Sequence, residues 1–139
     1  VPLVMWVPES GSMGAETEAV VELLDLYPTL IDFCTLEAPH ELEGDSLRPI
    51  VENPTARPQG PAYTQVTRGH VGMGYSVRQG AWRLTQWGED GSGGVELYRV
   101  TEDREGYYNR ADDPEHAAVR DRLHGLLKQG YPNISGGPP

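Results

Sequence analysis

A chain of 139 residues can bury roughly two-thirds of its unfolded surface in one domain, although only 37% of its residues are hydrophobic. The formal charge of −10 argues against nucleic acid or an anionic membrane as partner. No apolar run approaches the ~20 residues that cross a bilayer, and a single cysteine, Cys34, excludes an internal disulfide.

The chain opens on VPLVMWVP. A β-branched apolar run over Val1 to Val7 predicts a strand buried on both faces. Such a strand needs neighbours on each side, which this sequence hardly supplies, so the chain reads as the C-terminal piece of something larger. The alternative is a mature terminus after signal cleavage. A small polar loop, Glu9 to Thr17, precedes VELLDLYPTLIDFC, Val21 to Cys34. That run carries one continuous apolar stripe with Pro28 in its middle. A proline inside a helix costs about 3 kcal/mol, which argues against a single helix. The lower-cost arrangement makes Ala19 to Leu24 a buried strand, Asp25 a cap and Leu26 to Cys34 a helix. Pro28 then stands in the first turn, where its missing N–H costs nothing. From Thr35 to Pro61 the sequence is proline-rich, with one short apolar turn over Ser46 to Val51, and reads as an irregular connection between two substructures.

The second half changes period. Met73, Tyr75 and Val77 alternate with polar residues, Gln79-Gly80 breaks the run, and Trp82 and Leu84 resume it, which predicts a β-hairpin. Gly88 to Gly94 reads as a flexible loop and Val95 to Val100 as a third strand. Pro61 to Val66 can add a fourth at an edge, since its proline stands first. Asp112 and Asp113 before Pro114, then Val119, Leu123, Leu126 and Leu127 on one face, then Lys128 and Gly130, predict a helix over Pro114 to Gln129 lying across the sheet. Tyr131 to Pro139 reads as a frayed tail. The expected division is 1–60, 61–130 and the tail 131–139.

No nucleophile–base pair or metal-ligand set is complete in this sequence. Cys34 has no histidine near it in sequence and reads as buried filler. His40, Glu41, Glu43 and Asp45 offer oxygen and nitrogen ligands but lack the spacing and central glycine of a calcium loop, so they read as a solvated acidic loop. Trp82 and Trp87 could stack on a sugar, yet alternating strand tryptophans are more often core. Arg68 and His70, in QVTRGH after an edge strand, form a basic pair in an acidic chain and are candidates to hold an anionic group.

VPLVMWVPE, VELLDLYPTLIDF, LEGDSLRPIV, MGYSVRQGAWRLTQW, ELYRV and YYNRADDPE follow one another in order. Together they resemble the C-terminal third of type I sulfatases, and MGYS-R with W-R-T-W is most similar to the iduronate-2-sulfatase-like branch. The resemblance extends to about Lys128. It implies an α/β (α+β) fold, in which the end of an alkaline-phosphatase-like α/β domain is followed by a small four-stranded antiparallel sheet with a C-terminal helix packed on it. It also implies hydrolysis of sulfate esters of a sulfated sugar or glycosaminoglycan. Two alternatives are a non-catalytic glycan-binding module and the same part of a phosphonate monoester or phosphodiester hydrolase. The family's nucleophile is a formylglycine made from a C-x-P-S-R motif, and a calcium ion binds the sulfate. Cys34 stands in FCTLEA, with leucine where the proline belongs, so neither cofactor is expected within this chain. Both are expected in the full-length enzyme, together with an N-terminal sulfatase domain as partner and a sulfated carbohydrate as substrate. A periplasmic, secreted or lysosome-like compartment is usual for the family. AYTQVTR resembles the A-Y-S-Q-x-P-R stretch that faces the substrate pocket, in which Gln65 and Arg68 match and Thr67 replaces the proline; with His70 from the basic pair above, they are the candidate substrate contacts. Thr35 stands where the sulfatase helix ends in glycine.

Overall fold

A computed structural model describes residues 2–8, 10–11, 14–56, 60–70 and 72–135. Val1 of the expected first strand, part of the loop over Glu9 to Thr17 and positions 136–139 of the expected tail lie outside them. The chain divides into two compact units, one within Val1–Gln59 and one within Gly60–Pro139.

The first unit is built on helix α1 (Leu26–Cys34) and the short helix α2 (Arg48–Glu52). Pro28 is the third residue of α1 and is buried, so its missing N–H falls among the orphan donors of the first turn. Asp25 precedes the helix but does not cap it with its side chain. Its carboxylate instead accepts from the Glu22 amide at 2.8 Å and the Asp45 amide at 3.0 Å. One turn further on, Thr29 Oγ1 donates to the Asp25 carbonyl and accepts from the Leu47 amide. Ser46 and Arg48 both reach Asp32, at 2.6 and 3.0 Å, and hold its carboxyl below the ordinary range, Ser46 contributing most. Gly44 fits into this clasp because a Cβ there would run into the Leu24 carbonyl.

Two expected strands are absent here. Residues 2–7 pair with nothing as a strand, and Val4 and Trp6 are 91% and 78% exposed. Ala19 to Leu24 is no strand either: it ends in a 3-10 turn, Leu23–Asp25, with Leu23 and Leu24 exposed. A strand exists only where another satisfies its N–H and C=O groups, and every strand among the described residues lies in the second unit. Cys34 is exposed, not buried.

The second unit is an antiparallel meander in the order β1 (Ala62–Arg68), β2 (Gly72–Gln79), β3 (Trp82–Trp87), β4 (Val95–Arg99). The β2–β3 hairpin turns through Gly80-Ala81, with Gly80 at φ +58°, a left-handed value that suits a residue without Cβ. Helix α3 (Ala117–Gly130) follows a 3-10 turn, Pro114–His116, which the Asp113 carboxylate caps through the Glu115 amide. Tyr63, Val77, Leu84 and Leu97 stand in one row across the four strands. Leu123 and Leu127, one helical turn apart, pack on that row and complete the core with Ala111 and Ile134. Burying each such leucine stabilises the fold by about 2 kcal/mol.

Residues 131–135 are docked rather than frayed. Tyr131 meets the rings of Tyr63 and Tyr75 edge-on at 5.6 and 5.2 Å, Ile134 is buried, and the Ser135 amide donates to the Glu89 carbonyl. The loop over Gly88 to Gly94 is closed by its own backbone bonds, among them Trp87 N to the Gly94 carbonyl and Gly93 N to the Trp87 carbonyl. Asn109 covers the outer edge of β4, accepting from the Leu97 amide and donating to the Val95 carbonyl.

Candidate functional site

Side chains alternate across a sheet, and directly paired residues share a face. The core row therefore assigns Tyr63, Tyr75, Val77, Trp82, Leu84, Gln86, Val95 and Leu97 to the side of α3. The other side carries Val66, Gly74 and Trp87 in one row, Thr64, Ser76, Thr85 and Glu96 in the next, and Arg78, Arg83 and Tyr98 beyond. This second face is polar and internally bonded. Ser76 Oγ and Thr85 Oγ1 lie 2.8 Å apart, and Arg83 stacks on Tyr98 at 5.4 Å. Burial raises the Tyr98 hydroxyl above its ordinary value, with the Glu96 charge adding to the effect.

Arg68 sits at the end of β1 on this face, paired with Gly72. Its guanidinium lies 4.9 Å from the centre of the Trp87 ring. The indole is almost fully buried at 4% exposure, and its Nε1 donates to Glu96 Oε1 at 3.0 Å. It passes over β2 where that strand has Gly74; a Cβ there would lie 2.6 Å from the ring. A carboxylate from β4, an indole from β3, a glycine gap in β2 and a guanidinium from β1 thus form one line across the sheet.

Of the three candidate contacts, the structure brings Arg68 into this line and leaves the other two apart. Gln65 pairs with Tyr75, which places it on the α3 side and exposed. His70 lies in the exposed turn after β1. The two tryptophans part as well: Trp82 meets His116 edge-on at 4.9 Å on the α3 side, and Trp87 lies on the other. Trp87 and Glu96 were legible as out of phase with their neighbours, an odd number of residues from Leu84 and Leu97. His40, Glu41, Glu43 and Asp45 form a largely exposed loop, and among the described residues no three His, Cys, Asp or Glu side chains stand together as a metal site.

The α3 side holds a buried polar pair that the apolar periodicity passed over. His124 Nε2 lies 2.8 Å from Gln86 Oε1, and the Gln86 amide donates to the Gly88 and Glu89 carbonyls at 3.1 and 3.0 Å. Burial, foremost, and the nearby Lys128 charge hold the imidazole below its ordinary value.

The profile of the family described as N-sulphoglucosamine sulphohydrolase, C-terminal, matches residues 1–131. An N-acetylglucosamine-6-O-sulfatase of Bacteroides thetaiotaomicron is 35% identical over 52 residues, which are 37% of this chain and 9% of that protein. Among solved structures, BT1596, a 2-O glycosaminoglycan sulfatase, superposes with a TM-score of 0.66 at 25% identity, over 80% of this chain and 24% of its own. BT4656, solved with its substrate D-glucosamine-2-N,6-O-disulfate, gives the same TM-score at 24% identity, over 79% of this chain and 24% of its own. The chain thus spans about a quarter of the length of these solved structures and less of the curated relative. A four-stranded meander carrying a C-terminal helix, aligned with sulfatases of the alkaline-phosphatase-like fold and matched along nearly its whole length, identifies the chain as a member of the sulfatase C-terminal family.

Proposed function

We propose that this chain is the C-terminal part of a sulfatase that hydrolyses sulfate esters of a sulfated sugar or glycosaminoglycan. The observation that carries the reading is the family match over residues 1–131. The sulfated sugars named for the similar proteins support the substrate class. MGYS-R and W-R-T-W, now read as parts of β2 and β3, support the narrower iduronate-2-sulfatase-like branch. The nucleophile and the calcium of the family find no fitting residues here: Cys34 lies outside a C-x-P-S-R motif, and the described residues gather no metal site. The chemistry of bond cleavage therefore belongs to an N-terminal sulfatase domain, and this chain supplies scaffold and one wall of the substrate pocket.

Arg68 is the residue of that wall best suited to an anionic sugar. Its guanidinium lies over the Trp87 ring, a cation–π contact that takes no oxygen acceptor, so its N–H donors can serve a carboxylate or second sulfate. Gln65 and His70 flank it in sequence and complete the proposed contact set. A charge-assisted hydrogen bond contributes about 1.5–3 kcal/mol, so Arg68→Ala in the full-length enzyme lowers kcat/KM on an acidic sulfated disaccharide about ten- to a hundredfold. Turnover of p-nitrophenyl sulfate, which offers Arg68 nothing to hold, stays near wild type. Equal losses on both substrates would reduce Arg68 to a support of the fold.

A further inference from the structure

We propose that Trp87, anchored by Glu96, is a positioning residue that presents Arg68 to the substrate. The inference rests on the pocket-wall reading of Arg68 and adds residues that no resemblance assigns.

Arg68 ends an edge strand, where a long side chain has many rotamers and little to restrain it. Five described arginines are tied to protein oxygens: Arg48 to Asp32 and Glu52, Arg99 to Glu102, Arg120 to Asp121, Arg78 to the Gly80 carbonyl and Arg122 to Gln79. Arg68, like Arg83 over Tyr98, has an aromatic ring as its contact instead of an oxygen. The Arg68 guanidinium lies over the Trp87 ring, a cation–π contact that restrains it without engaging an oxygen acceptor.

A ring that is to fix a guanidinium must itself be fixed. Trp87 is buried, its Nε1 is bonded to Glu96 Oε1 at 3.0 Å, and its far edge lies in the gap left by Gly74. Any side chain at position 74 would lift the indole off β2 and away from β1. Glu96 Oε1 accepts the indole N–H from β4, the strand at the opposite edge of the sheet from β1, and so anchors the ring on the side away from the Gly74 gap.

The test is made in the full-length enzyme with two probes, a heparin-derived disaccharide carrying a uronate carboxylate and p-nitrophenyl sulfate. Trp87→Leu removes the platform; Glu96→Ala removes only the anchor and leaves the buried ring in place, should the first variant fold poorly; Glu96→Gln keeps an acceptor for Nε1. Trp87→Leu and Glu96→Ala are expected to raise KM for the disaccharide about three- to tenfold with kcat little changed, as a stack of this kind implies. Neither alters p-nitrophenyl sulfate turnover, Glu96→Gln restores the disaccharide KM, and Arg68→Ala/Trp87→Leu is no worse than Arg68→Ala alone. If Arg68→Ala is selective for the disaccharide but Trp87→Leu and Glu96→Ala are not, the positioning role is wrong and Arg68 keeps its place in the pocket. If Arg68→Ala itself shows no selectivity, the pocket-wall reading fails and takes the positioning role with it.

Discussion

Replacing Gln86 with leucine keeps the bulk of a fully buried side chain and deletes three hydrogen bonds. The two carbonyls that the amide serves, Gly88 and Glu89, fix its orientation, so Oε1 faces His124 and the imidazole donates from Nε2. After Gln86→Leu that buried N–H has no acceptor, which costs about 1–3 kcal/mol. The carbonyls lie nearer solvent, and each forfeits about 0.5–1.5 kcal/mol, part of it recovered from water. The expected loss is about 2–4 kcal/mol, a large share of the 5–15 kcal/mol that holds a typical domain. Urea denaturation followed by tryptophan fluorescence measures it, and amide exchange should quicken first in the loop over Gly88 to Gly94, whose pin is lost. Gln86→Leu combined with His124→Leu removes both partners and should cost less than the single change, because no buried donor is left unmade. A single-variant loss below about 0.5 kcal/mol would refute the reasoning, since no buried N–H could then have been stranded.

His124 also sets a pH dependence: its value in the folded chain is depressed, first by burial, then by Lys128 and with Arg120, against an opposing Asp121. The unfolded chain therefore takes up the proton first, and stability falls as the pH drops through about 6.5, the ordinary histidine value; in His124→Gln the difference in unfolding midpoint between pH 7.5 and 5.5 should shrink, and an unchanged slope would exclude His124 as the cause. Thr35, at φ +53°, is the one non-glycine with positive φ among the described residues, and its amide and that of Leu36 close α1 on the Asp32 and Ile31 carbonyls. Thr35→Gly relieves a strain of about 1–2 kcal/mol and concedes about 0.5–1 to chain entropy, so the urea midpoint should rise modestly; a fall would mean the hydroxyl has a role of its own. The purified 139 residues should show no turnover of an aryl sulfate with or without calcium, and calcium-dependent hydrolysis by them would overturn the assignment of the chemistry to another domain.

Where local rules and packing agree, the sequence was sufficient. The alternation of Met73, Tyr75 and Val77, the Gly80 turn and the acidic cap before Pro114 each have one low-energy solution, and all three appear as expected. The failures cluster in the first unit. Val1 to Val7 and Ala19 to Leu24 carry the composition of buried strands, yet a strand is completed by its neighbours and not by its own residues. The stripe of Leu23, Tyr27 and Leu30 lies exposed for the same reason: amphipathicity specifies that a face is to be covered and is silent about what covers it. Residues 131–135 were misread in the other direction. A run rich in glycine and proline looks like a free end, but Tyr131 is held by Tyr63 and Tyr75, which lie far away in sequence, and Ile134 joins the core formed by the sheet and the α3 leucines.

The candidate site divides along the same line. Resemblance selects Gln65 and Arg68 together because they share one short motif. The pleat separates them, since residues three apart on a strand point to opposite faces. β1 is the edge strand, so a single ligand can touch both only by reaching round that edge. Arg68 faces a rigid partner in Trp87, whereas no ring or ion pair orients Gln65 among the described residues. An ordered donor forfeits less rotamer entropy on binding than a free one. On the proposed reading, the same anionic group should accordingly gain more from Arg68, on the Trp87 face of the sheet, than from Gln65.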